Sequence, residues 1–96
     1  MTMCTMIVEN AKVTGSAKGP DGWFKLSQAN VSYDHPFNVQ LEYALNIDFV
    51  DPDRGPSARV AVELTAESAR NLVRSIEAAL ARAEAEVGPL ELTASA

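Results

Sequence analysis

The chain has 96 residues and a formal net charge of −5, with 13 acidic residues against 8 basic ones. That length accommodates one small domain with a thin core, burying about two-thirds of the surface its unfolded chain exposes. The basic residues are scattered over Lys12, Lys18, Lys25, Arg54, Arg59, Arg70, Arg74 and Arg82, with none of the clustering that displaces phosphate counterions, so neither nucleic acid nor an anionic membrane surface is an expected partner.

In chain order, residues 6–14 read as a first strand, less cleanly patterned than those that follow. Residues 15–22 read as a glycine-rich loop, a flexible connection or a lid over a pocket. They lack the Gly-Lys-Ser/Thr ending of a phosphate-binding loop and lead into no helix. Trp23, Phe24 and Leu26 form a short apolar patch, suited to a brief strand of its own. Ala29, Val31 and Tyr33 then alternate with Asn30, Ser32 and Asp34, and His35-Pro36 ends that strand because proline cannot donate to a ladder.

The strongest period-two signal runs over residues 40–50. Leu41, Tyr43, Leu45, Ile47 and Phe49 fall on one side, and Gln40, Glu42, Ala44, Asn46 and Asp48 on the other, the pattern of a strand with one wet face. A turn-rich segment, residues 51–57, joins it to a strand with Ala58, Val60, Val62 and Leu64 inward and Arg59 and Glu63 outward. Placing Ile47 opposite Val60 puts Asp48 opposite Arg59, a cross-strand ion pair worth at most about 1 kcal/mol.

A helix follows. Thr65 suits its N-cap and Glu67 its first turn. Ala69, Leu72, Val73, Ile76, Leu80, Ala83 and Val87 recur at helical spacing, and Gly88-Pro89 ends the run. The fold class is therefore α+β: an antiparallel meander of about four strands with one C-terminal amphipathic helix packed on one face. Residues 1–88 are expected to form a single domain and residues 89–96 a flexible tail. The helix stripe is expected to cover the face carrying Leu41, Tyr43, Leu45, Ile47, Val60 and Val62, leaving the side of Asp48 and Arg59 free for a partner.

Several of these stretches carry a resemblance: Gly22-Trp23-Phe24, residues 29–36 from Ala29 through His35-Pro36, residues 44–49, and residues 58–64. They look like a family of short bacterial proteins of unknown function that begin Met-Cys-Thr, over roughly residues 3–83. Met1-Thr2 precedes the family-like start at Met3 here, so the start residue is either Met1 or Met3. The resemblance implies no activity and supplies no site residues.

Candidate chemistry rests on few residues. Cys4 is the only cysteine, which leaves no disulfide or multi-cysteine zinc site within one chain. With no basic-then-apolar leader and no long apolar run, the expected location is the cytoplasm. Were Met3 the start, its removal would leave Cys4 as the N-terminal residue, a thiol beside an amine; the plainer reading is a small buried residue. His35, the only histidine, adjoins Asp34, and a carboxylate can orient an imidazole; the plainer reading is a turn histidine.

The catalytic candidates are thus Cys4, Asp34 and His35, and the ligand-binding candidates are Trp23 and Tyr33. No metal site and no cofactor is expected. Trp23 borders the glycine-rich loop and is the aromatic best placed to meet a ligand or partner, whereas Tyr43 reads as core. Glu42, Asn46, Asp48, Arg59 and Glu63 make an outer polar patch, a wet face or a polar dimer interface. Two function classes follow. One is a non-enzymatic accessory or protein-interaction module acting as a homo-oligomer, a dimer or higher, with a further protein partner open. The other is a small enzyme or small-molecule- or metal-binding protein whose site gathers Cys4, Tyr33, Asp34 and His35.

Overall fold

A computed structural model describes residues 7–90. Strands β1 (Ile7–Gly19), β2 (Gly22–Asp34), β3 (Ala44–Val50) and β4 (Arg59–Leu64) precede helix α1 (Ala66–Val87). The strands form one sheet in the order β1-β2-β3-β4, every neighbour antiparallel, so the architecture is an α+β meander followed by a helix. The chain divides at Ala66 into two compact units, one holding the sheet and one the helix.

Within the sheet unit, directly opposed residues share a face. Ala29, Val31 and Tyr33 of β2 oppose Phe49, Ile47 and Leu45 of β3, which in turn oppose Val60, Val62 and Leu64 of β4. This is the apolar face the alternation predicts. The other face carries Asn30, Ser32, Asn46, Asp48 and Glu63. Few side chains are deeply covered: among the described residues the buried apolar ones are Phe24, Ala29, Ala44 and Ala58.

The glycine-rich segment departs from expectation. Residues 15–19 belong to β1, which runs into a two-residue turn, Pro20-Asp21, with Gly19 opposite Gly22. Gly22 lies at φ +112°, where a side chain would be strained. Trp23, Phe24 and Leu26 are the first part of one continuous β2, not a separate strand. Between Lys12 and Gly15 the register shifts, so that Val13 and Thr14 stand against Ser27 alone. This is a bulge, and it raises the local twist.

Phe24 is only 6% exposed, and its ring lies over the Gly19 backbone. A Cβ on Gly19 would come within 3.2 Å of Phe24 Cε1 and 3.6 Å of the Arg59 carbonyl oxygen. The far end of the β1–β2 hairpin therefore reaches the start of β4. A methyl group there would be tight against the ring, which would have to give by a few tenths of an ångström to admit it.

The third strand also differs. It begins at Ala44, and residues 35–43 form a loop, so Leu41 and Tyr43 lie outside the sheet. Leu41 is exposed and Tyr43 half-buried; neither is core. The β3–β4 connection holds a 3-10 turn (Pro52–Arg54), with the Asp51 side chain accepting from Asp53 N–H. The Asp51 N–H donates to the Ala58 carbonyl at 3.2 Å, closing the hairpin.

The helical unit is a 22-residue helix with Glu67 in its first turn. Gly88 follows at φ +86° and donates its N–H to the Glu84 carbonyl at 2.9 Å, a glycine C-cap as the Gly-Pro pair predicts. No helical residue is buried. No helix among the described residues is long and apolar enough to cross a membrane.

Candidate functional site

The polar ends of β2, β3 and β4 meet the loop of residues 35–43 at the rim of the sheet. A cleft of about 200 Å³ opens there, lined by Ser32, Asp34, His35, Asn46, Asp48, Arg59 and Glu63 among others. Each side chain has a sequence reason for its place. Ser32, Asn46 and Glu63 are consecutive cross-strand partners on the polar face, and Asp34-His35-Pro36 is where β2 must stop.

Glu63 anchors the loop. Its Oε2 accepts the Phe37 N–H at 2.7 Å, and its Oε1 accepts the Asn38 and Val39 N–H groups, both at 2.9 Å. Three successive amides aimed at one carboxylate favour its charged form. The Val39, Phe37 and Asn38 amides accordingly hold Glu63 below the usual carboxylate range, against a smaller opposing effect of burial.

His35 fastens the other end. Its backbone N–H donates to Asp34 Oδ1 at 2.7 Å, and its ring Nδ1 lies 2.8 Å from the Glu42 carbonyl oxygen. A carbonyl oxygen only accepts, so Nδ1 is the donor in this contact. The imidazole stacks on Tyr43 at 4.7 Å between centroids, and Tyr43 stacks on Tyr33 at 6.0 Å. A short column of three rings thus pins residue 43 to the end of β2.

Asp48 Oδ1 accepts from Arg59 Nε at 2.9 Å and pairs with the same guanidinium through Nη2 at 2.8 Å. The expected ion pair forms, but from a different register: Asp48 opposes Ala61 and Arg59 opposes Val50, so the arginine reaches diagonally. Of the expected polar patch, Asn46, Asp48, Arg59 and Glu63 come together around the cleft. Glu42 instead sits in the loop and contributes its backbone carbonyl to His35.

Chemically, the acids at this cleft are engaged in holding structure. Asp34 binds a backbone amide, Asp48 an arginine and Glu63 three amides. Among the described residues no three His, Cys, Asp or Glu side chains converge as a metal-ligand set. Tyr33, Asp34 and His35 are brought to one rim, whereas Trp23 stands at the far end of β2 beside the Pro20-Asp21 turn, 69% exposed. Cys4 lies outside the described residues. The contact between Glu63 and the loop was not foreseen from the sequence. It joins residues 24 to 26 positions apart, and no local spacing announces it.

Comparison with known families finds a match over residues 3–89 to the model of a family of unknown function, DUF6295. No curated protein and no solved structure matches the chain.

Proposed function

The chain belongs to that family of unknown function, over nearly its whole length, and on that premise, which supplies no reaction, we propose that it is a non-enzymatic interaction module working as a homo-oligomer. The carrying observation is the apolar stripe of α1, whose Leu72, Val73, Ile76, Leu80 and Val87 are 44% to 74% exposed. Burying such a side chain is worth about 1.5–3 kcal/mol. Helices of this length draw most of their stability from packing an amphipathic face rather than from propensity. A second copy of the chain is the cover this surface asks for, because a domain this small commonly completes its burial by association. The larger residues on the apolar face of the sheet are half-buried or exposed, Ala29 alone being buried, which supports the same reading.

The bacterial cytoplasm is the setting this reading assigns, supported by the resemblance and by a cysteine content that builds no intrachain disulfide. Sedimentation equilibrium across 1–100 µM (about the range of ordinary association constants) tests the assembly. A dimer or higher species is expected. A strict monomer of full thermal stability at the upper concentration refutes it.

A further inference from the structure

Resting on that self-association, we infer that α1 pairs with α1 of a second copy in antiparallel fashion, as a two-helix seam across a two-fold axis. The apolar positions Ala69, Val73, Ile76, Leu80, Ala83 and Val87 step along the helix by four and three residues in strict alternation. That spacing keeps one seam facing a partner helix over three heptads, with knobs at positions a and d. Ala69 and Ala83 are the small members, which let two helix axes approach closely. Ala66–Val87 spans 22 residues, about 33 Å of helix, so every seam position has a counterpart when two copies are aligned end to end.

Charge selects the direction. Arg70, Glu77 and Glu84 follow the d positions and flank the seam on one side, while Leu72, Ala79 and Glu86 flank it on the other. In an antiparallel pair whose layers set Val73 against the partner's Ala83 and Ile76 against the partner's Leu80, Arg70 meets the partner's Glu84. The two-fold axis repeats that ion pair at the opposite end. Near the axis Glu77 approaches the partner's Glu77, with Arg74 one turn away on the same helix to offset them. A parallel pair instead sets Leu72 against the partner's Glu77 and Ala79 against the partner's Glu84. It forms none of these ion pairs, and its flanking carboxylates gain nothing. The seam is thus complementary to itself only when one copy is reversed.

The pairing makes a test that one helix cannot satisfy alone, since residues 70 and 84 lie about 21 Å apart along it. Arg70→Glu leaves acids at both flanking positions, and Glu84→Arg leaves bases at both. Each single variant is expected to weaken homodimerisation about tenfold, as two attractions become two repulsions. Mixing the two variants one to one is expected to restore wild-type association as a heterodimer, and the Arg70→Glu/Glu84→Arg double variant to restore the homodimer. Circular dichroism of each variant checks that the helix is retained. If the wild type associates but neither the mixture nor the double variant recovers, the antiparallel seam is wrong while the homo-oligomer stands, and the sheet face becomes the interface. A wild type that stays monomeric at 100 µM overturns both.

Discussion

The close approach of Gly19 to Phe24 gives a prediction whose sign depends on a second residue. Replacing a strand glycine by alanine normally stabilises by about 0.5–1 kcal/mol, because the unfolded chain loses freedom. At Gly19 the new methyl would sit 3.2 Å from Phe24 Cε1, well inside the ~3.5–4.0 Å of an unstrained carbon contact. Overpacking of that kind costs about 1–3 kcal/mol, so Gly19→Ala is expected to destabilise by about 0.5–2 kcal/mol net. Phe24→Leu removes the ring edge that the methyl meets. In that background Gly19→Ala should become neutral or stabilising by up to about 1 kcal/mol, since the remaining neighbour, the Arg59 carbonyl at 3.6 Å, is in ordinary contact. The expected coupling is about 1–2 kcal/mol, measured by urea denaturation of the four proteins. Additive effects, with coupling below about 0.5 kcal/mol, would show that the Phe24 ring does not lie over Gly19 as described.

Two further perturbations probe the loop and the β3–β4 turn. Glu63 has its carboxyl held below the unfolded value by the Val39, Phe37 and Asn38 amides, so its contribution is present at neutral pH and lost as pH falls through the folded value. Hydrogen exchange at residues 37–39, corrected for intrinsic rates, should show protection that vanishes in acid, and Glu63→Gln should reduce it at neutral pH and flatten its pH dependence; unchanged protection in that variant would exclude the contact. Asp51 is buried and accepts from Asp53 N–H at 3.2 Å and Ser27 Oγ at 3.5 Å. Asp51→Ala should cost about 1–2 kcal/mol, and Asp51→Asn clearly less. Equal losses in both variants, by thermal or urea melts, would mean that the capping bond is not the source.

What was legible in the sequence followed from repetition. Period two over Leu45, Ile47 and Phe49 and over Val60, Val62 and Leu64 identified the apolar face, and helical spacing with Gly88-Pro89 located α1 and its end. Register was not legible, because a slip of two residues leaves every side chain on its face. The expected Ile47–Val60 pairing is therefore replaced by Ile47–Val62 without disturbing the Asp48–Arg59 ion pair. The capped turn after Asp51 sets that register, and its geometry has no period to read. Gly15, Gly19 and Gly22 together mimic a loop by composition, yet Gly19 is chosen for contact with a ring and Gly22 for its backbone angle. The rim site was half legible: the strand-ending Asp34-His35-Pro36 placed it, but nothing near Glu63 reveals which amides it will bind.

The bulge in β1 has a consequence for solubility. Among the described residues β1 is an edge strand of 13 residues paired on one side only, a template on which a stray strand could grow. Lys12 and Lys18 are an even number of positions apart and would project from the same face of a regular strand. With the bulge between them, Lys12 shares the face of Gln28 and Lys18 the face of Trp23, so each face of the open edge carries its own cation. Any chain adding to that edge must lie flat along a twisted, interrupted ladder and crowd a lysine on whichever side it packs. One extra residue thus guards both faces of a strand that contributes little to the core, and leaves association to surfaces built for it.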